Sequence, residues 1–186
     1  FLISDMNKKN QYVGGDFQLQ AKILKSNSLK ELNLDVLGPY CYLLDTGRSA
    51  IRAAINFTLS SRKIETAWVP FYSCSTMIKP FIECGLNIRF YGMGSDLNSP
   101  VGLPNNISNS IFLFNHYFGK YNRAIINYLE NLPDRNNIII EDAVQTCLSK
   151  RVENYGDFVI HSLRKFLPVP DGGILVSKKK MSLEML

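Results

Sequence analysis

The sequence predicts an α/β fold with a mostly parallel sheet, and two observations carry that expectation. Short apolar runs rich in β-branched and aromatic residues alternate with segments of helical spacing along most of the chain. Such alternation lets each strand feed a helix that returns to the next parallel strand. Polar, glycine-bearing turns also stand where apolar runs give way to helical spacing, as at Asp45-Thr46-Gly47-Arg48-Ser49. At 186 residues, 46% hydrophobic and 20% charged, the chain has the composition of one globular domain with a core, and disorder is not expected.

The elements follow in order. Residues 1–37 read as an arm, in which Asp16-Phe17-Gln18-Leu19-Gln20 alternates like a short strand after Gly14-Gly15. The domain proper spans 38–186. Its first strand is apolar 40–44, followed by the Asp45 turn and a helix over 50–59. A second unit places a strand at 66–69, a helix at 75–84 with Gly85 as its stop, and a strand at 87–91. Pro80 should kink or shorten that helix, because it lacks an N–H and crowds the preceding turn. Polar residues 95–110 read as a surface loop. Strands then follow at 111–115, 137–140, 158–161 and 173–176, with a helix over 122–131 after the Gly119 turn.

The net charge of +5 would permit a nucleic-acid partner. The basic residues are scattered, however, and Lys178-Lys179-Lys180 reads as a solvated terminus, so the charge balance points to anionic small molecules and no nucleic acid. Cys41, Cys74, Cys84 and Cys147 show no Cys-x-x-Cys spacing, and His116 and His161 are the two histidines, so no metal site is expected. No apolar stretch approaches the ~20 residues that span a bilayer, and no signal-peptide pattern opens the chain. A cytoplasmic protein with reduced thiols and no membrane association is the expectation. A start at Phe1 and an end just after the last strand imply a piece of a longer protein.

Two segments carry the chemistry. Ile138-Ile139-Ile140-Glu141-Asp142-Ala143-Val144-Gln145 brings a carboxylate to the carboxyl end of a buried strand, where open α/β sheets bind ligands. His161-Ser162-Leu163-Arg164-Lys165 then leads into Phe166-Leu167-Pro168-Val169-Pro170-Asp171-Gly172-Gly173, which places a lysine in a constrained loop bounded by strands. Pyridoxal 5'-phosphate needs a lysine amine to hold its aldehyde as a Schiff base and a carboxylate to keep its ring nitrogen protonated. Lys165 and Asp142 would supply both. Arg164 would lower the Lys165 pKa by like charge, and Ser162 would offer a hydroxyl to the phosphate. Glu141 or Asp142 capping the next helix is the plainer alternative.

The remaining candidates also have two readings each. Gly47, Arg48 and Ser49 stand where free N–H groups and the positive end of a helix dipole make a phosphate seat, or where Thr46 or Ser49 simply caps a helix. His116 follows a strand and either approaches the same edge or serves structure. Cys74 opens a helix whose dipole would lower its pKa, with no second cysteine near in sequence for redox work.

Taken in this order, the segments resemble the DegT/DnrJ/EryC1/StrS sugar aminotransferase family of the aspartate aminotransferase fold, from about Gly14 to Val176. Thr46-Gly47-Arg48-Ser49-Ala50 is similar to its phosphate turn, and Val69-Pro70-Phe71-Tyr72-Ser73-Cys74 to its helix-opening segment. His116-Tyr117-Phe118-Gly119 resembles its His-x-x-Gly strand end, Glu141-Asp142-Ala143-Val144-Gln145 its Glu-Asp-Ala-Ala-Gln motif, and Gly172-Gly173 the close of its lysine loop.

The resemblance implies a three-layer α/β/α large domain of a pyridoxal phosphate-dependent transferase. Asp142 would pair with the ring nitrogen, Gln145 with the ring hydroxyl, and Lys165 would hold the cofactor and shuttle the proton. Gly47, Arg48, Ser49 and Ser162 would hold the phosphate, with Val144 on one ring face and Cys74 on the other. It further implies a homodimer, an amino donor, and a keto-sugar nucleotide or similar carbonyl compound as acceptor. Three positions depart from the family. Cys74 stands where an aromatic residue is usual, Arg48 where threonine is usual, and Ser162 three rather than five residues before the lysine. Family members also carry a second, smaller domain, expected to lie outside this segment, so the segment alone is expected to turn over poorly. The alternative is a non-catalytic binding or assembly module that keeps the fold.

Overall fold

The computed structural model describes residues 37–147 and 154–182. The arm expected over residues 1–37, Leu37 apart, lies outside them, as does the strand expected within it. The elements are β1 (Tyr40–Leu44), α1 (Gly47–Ser61), β2 (Thr66–Pro70), α2 (Ser75–Glu83), β3 (Asn87–Met93), β4 (Pro100–Val101), β5 (Ser110–Asn115), α3 (Arg123–Glu130), β6 (Ile138–Asp142), β7 (Phe158–Ser162) and β8 (Gly173–Ser177). Short 3-10 turns occupy Tyr117–Gly119 and Leu163–Lys165.

The strands form one sheet in the order β1-β8-β7-β6-β5-β2-β3-β4. Neighbours from β7 through β3 pair in parallel, β8 runs against both β1 and β7, and β4 runs against β3. β1 therefore points the same way as the parallel strands although it lies beyond β8. This brings the carboxyl ends of β1, β5, β6 and β7 and the start of β8 to one edge.

Helices cover both faces, as the near-continuous apolar runs of a parallel sheet require. On one face α1 turns Ala50, Ile51, Ala53, Ala54 and Ile55 toward the sheet, and these join Ile111, Leu113, Ile140, Phe158 and Ile160 in the larger core. Alanines on that face let the helix approach closely. On the other face α3 packs Ile125, Ile126 and Leu129 against Tyr91, Phe112 and Phe114. Tyr91 stacks on Phe112 at 5.1 Å between ring centroids, and its hydroxyl donates to the Leu113 carbonyl at 2.9 Å. The three-layer α/β/α class expected from the sequence is the architecture found.

Differences from the expected elements have local causes. α1 begins at Gly47 because Thr46 caps it, its Oγ1 accepting from the Ser49 N–H at 3.2 Å. α2 passes through Pro80 but lasts only nine residues before Cys84 and Gly85, the latter at φ 74. The expected loop over 95–110 contains the two-residue strand β4, too short to leave a period in sequence. Among the described residues no helix is long and apolar enough to cross a membrane.

Candidate active site

At the edge where these strand ends meet lies a cleft of about 650 Å³, within the range of small-molecule sites. Its floor is Asn115, Asp142, Ile160 and Ser162, from the ends of β5, β6 and β7. The start of α1 makes one wall with Thr46, Gly47, Arg48 and Ile51, and residues 71–77 contribute another. Tyr117, Phe118, Val144, Gln145, Arg164 and Lys165 complete the lining. Of the residues the sequence nominated, Gly47, Arg48, Cys74, Asp142, Val144, Gln145, Ser162 and Lys165 meet here. Ser49 and His116 do not line the cleft.

The turn before α1 is fixed by backbone contact with the lysine loop. The N–H groups of Gly172 and Gly173 both donate to the Asp45 carbonyl, at 2.8 and 3.3 Å. A Cβ at Gly173 would lie 2.2 Å from the Thr46 carbonyl carbon and oxygen and 2.8 Å from the Gly47 nitrogen, so only glycine admits this approach. Gly172, at φ +107, reverses the chain at a value other residues rarely adopt. The first N–H groups of α1, Gly47 and Arg48, have no intrahelical acceptor and stand beside the cleft with the positive end of the helix dipole. Ser49 is engaged in the cap, its Oγ 3.1 Å from Thr46 Oγ1, so the helix-cap reading holds for it.

Asp142 is 4% exposed, and among the described residues it forms no salt bridge. Its Oδ1 accepts from the Val144 N–H at 2.9 Å, which turns the chain and points Val144 to the cleft. Burial pushes its carboxyl up to about 6; that hydrogen bond and the nearby His116 and Lys165 act the other way. Buried and without an ion-pair partner, Asp142 would gain from a cation brought beside it.

Neighbouring Glu141 faces the opposite side of the sheet and serves structure, not a helix cap. It is 2% exposed, with Oε1 2.8 Å from His116 Nε2 and Oε2 accepting from the Tyr155 and Gly156 N–H groups, each at 2.8 Å. His116 Nδ1 accepts from the Asn122 N–H at 3.0 Å, which fixes the Nε2–H tautomer, and the ring stacks on Tyr121 at 4.7 Å. His116 thus takes the structural one of its two readings, holding the start of α3 against β6.

Lys165 is exposed, at the end of the 3-10 turn that leaves β7. The loop closes behind it through Leu163 N–H to the Gly172 carbonyl at 2.8 Å and Leu167 N–H to the Leu163 carbonyl at 2.8 Å. Ser162 is 6% exposed at the end of β7. Gln145 Oε1 accepts from the Phe118 N–H, which leaves its amide nitrogen for a ligand. Cys74 Sγ lies 2.9 Å from Thr76 Oγ1 and lines the wall as an exposed thiol. Sequence reasoning missed Asn115 and Tyr117 as lining residues, whereas Tyr72, to which ring stacking would move if Cys74 gave none, does line the cleft. The Tyr117 hydroxyl donates to the Tyr72 carbonyl at 2.7 Å, and burial pushes it up to about 12.

These residues fit pyridoxal phosphate: a buried carboxylate short of a cation, an exposed lysine amine and a glycine-closed helix start share one cleft. No protein-family model and no curated sequence matches the chain. Solved structures do. The GDP-4-keto-6-deoxy-D-mannose-3-dehydratase of E coli with bound hydrated PLP is 19% identical at a TM-score of 0.58, over 76% of this chain and 40% of that one. NtdA of Bacillus subtilis with bound PMP is 15% identical at 0.62, over 78% and 34%. DesV of S. venezuelae in complex with a ketimine intermediate is 19% identical at 0.60, over 86% and 48%. The chain thus spans less than half the length of each. At these identities the likeness concerns architecture, and the chain has the fold that the resemblance to the sugar aminotransferases implied.

Proposed function

We propose that residues 38–186 form the pyridoxal phosphate-binding domain of a sugar-modifying aminotransferase, with residues 1–37 as its arm. The observation that carries this reading is Asp142, buried without a cation on the floor of the cleft that Lys165 and the start of α1 also line. When bound, the cofactor supplies an electron sink for a substrate carbanion. Lys165 Nζ would hold its aldehyde carbon and carry the substrate proton, and Asp142 would keep the proton on the ring nitrogen. The Gly47 and Arg48 N–H groups, the Arg48 guanidinium and the Ser162 hydroxyl would take the phosphate, with Ser49 supporting the turn through its contact with Thr46. Val144 and Cys74 would flank the ring, and the Gln145 amide would reach the ring hydroxyl.

An amino donor and a keto-sugar nucleotide or similar carbonyl acceptor are the proposed substrates, in the cytoplasm. A second copy of the chain would complete the site. The rim supports this, since Phe71, Tyr72 and Phe118 are 76%, 56% and 74% exposed.

Cys74 favours a second reading, a non-catalytic binding or assembly module, because a thiol leaves one ring face without an aromatic partner. Titration of the 186-residue chain with pyridoxal phosphate separates the two. An absorbance band near the visible edge that Lys165→Ala abolishes, and that added L-glutamate converts, supports the aminotransferase. A band unchanged by Lys165→Ala overturns it, and no band at all favours the module.

A further inference from the structure

We infer a second small-molecule site at the opposite edge of the sheet, for a phosphate-bearing ligand with an apolar ring as its body. A cavity of about 330 Å³ opens where α1 ends, beside the starts of β6 and β7 and the end of β8. Its floor is apolar: Phe57 and Phe158 meet edge to face at 6.0 Å between ring centroids, and Ile138 lines it with them. Its rim carries Arg62, Lys178 and Lys179. At 1.5 Å per residue, the 15 residues of α1 put this cavity roughly 22 Å from the helix start at the cofactor cleft. The two share no lining residue.

Lys178-Lys179-Lys180, expected to be a solvated terminus, is exposed but pinned at both ends. The Lys178 N–H donates to the Asp157 carbonyl at 3.1 Å, and Ser177 Oγ accepts from the Lys179 N–H at 3.1 Å while donating to the Lys179 carbonyl at 2.7 Å. Beyond the run, Met181 is buried in the larger core and its N–H donates to the Tyr42 hydroxyl at 2.7 Å. The cations are held by neutral acceptors, Arg62 by the Asn136 carbonyl at 3.2 Å and Lys178 Nζ by the Tyr155 carbonyl at 2.7 Å. Among the described residues none of Arg62, Lys178 and Lys179 forms an ion pair. Opposing them are Asp157, whose Oδ2 accepts from the Ile139 N–H at 2.9 Å, and the negative end of α1. That end is worth about half a charge, so roughly one and a half positive charges remain uncancelled above the apolar floor. A phosphate monoester carries about that much negative charge and offers three acceptor oxygens. Phe57, Phe158 and Ile138 would take the ring it bears, the combination of apolar lining and few polar groups that small-molecule sites use.

The test titrates the 186-residue chain with phenyl phosphate and with inorganic phosphate, following backbone amide shifts by NMR so that each site reports separately. Cofactor is left out, since pyridoxal phosphate is itself a ring-bearing phosphate. Phenyl phosphate should shift the amides of Thr58, Ser61, Arg62, Lys178 and Lys179 with a Kd of about 1 mM or tighter. Inorganic phosphate should bind there at least ~10-fold more weakly, because it has no ring to remove from water. Lys179→Glu, a change at an exposed side chain, should weaken phenyl phosphate at these amides by roughly 10-fold or more. Lys179→Gln, with a smaller loss, serves if the glutamate variant fails to fold. No shift at these amides, or shifts confined to the start of α1, overturns the site. So does inorganic phosphate binding as tightly as phenyl phosphate, or an affinity that the Lys179 variants leave unchanged.

Discussion

The contact between Gly173 and the turn before α1 makes a sharp prediction. In Gly173→Ala the new Cβ meets the Thr46 carbonyl carbon and oxygen at 2.2 Å and the Gly47 nitrogen at 2.8 Å, all backbone atoms that cannot rotate away. The strand cannot slide either, because Gly173 is paired with Leu44 on one side and Ser162 on the other. Overpacking costs about 1–3 kcal/mol, and a clash with paired backbone belongs at the upper end. Gly47→Ala is the control, since its nearest neighbours would be Ile160 at 3.6 Å and Val144 at 3.8 Å, ordinary contacts; a change within ~0.5 kcal/mol is expected. With an m-value of about 2 kcal/mol/M, a loss of ~3 kcal/mol lowers the urea midpoint by ~1.5 M. Cofactor binding should weaken along with it, as the turn is displaced. Midpoints for the two variants agreeing within ~0.3 M would refute the claim that backbone proximity selects this glycine.

Further outcomes follow from the buried groups. Burial raises the Asp142 carboxyl from 3.8 to about 6, so over that window the unfolded chain gives up its proton first and stability falls as pH rises. Asp142→Asn, which keeps an acceptor for the Val144 N–H, should remove this fall and stabilise the cofactor-free chain above pH 6 by about 1–3 kcal/mol, seen in urea midpoints from pH 4 to 8. The same variant should bind pyridoxal phosphate at least ~10-fold more weakly, for want of a charge opposite the ring nitrogen. Glu141→Gln sets an amide N–H against His116 Nε2–H, whose tautomer is fixed by Asn122, and should cost about 1.5–3 kcal/mol in a denaturation curve. Cys74→Tyr should tighten cofactor binding by roughly 2- to 10-fold in an absorbance titration, by restoring an aromatic surface to one ring face.

The strands were legible because each is a short apolar run, and three isoleucines ahead of Asp142 were enough to put its carboxylate at a strand end. Parity then separates Glu141 from Asp142: adjacent strand residues face opposite ways, so one enters a buried network and the other the cleft. Sequence left both open as caps because periodicity does not say which face holds the ligand. Gly172-Gly173 was legible as a loop end, but its contact with Thr46 joins residues far apart in the chain, and no local pattern encodes it. Asn115 was hidden inside Phe114-Asn115-His116, where the histidine drew the chemical reading. Its register opposite Asp142 depends on how β5 and β6 pair, which only the assembled sheet shows. Thr46, set beside Ser49 as a candidate cap, proved to be the cap, and that geometry takes Ser49 out of the cleft.

The central claim is that Lys165 is the residue that holds the cofactor. Reducing the 186-residue chain with borohydride after incubation with pyridoxal phosphate, then mapping the modified peptide by mass spectrometry, tests it most directly. The account predicts stoichiometric label on the peptide carrying Lys165, abolished by Lys165→Ala and weakened by Asp142→Ala. Label spread over the exposed Lys178, Lys179 and Lys180, with Lys165 unmodified, would contradict it.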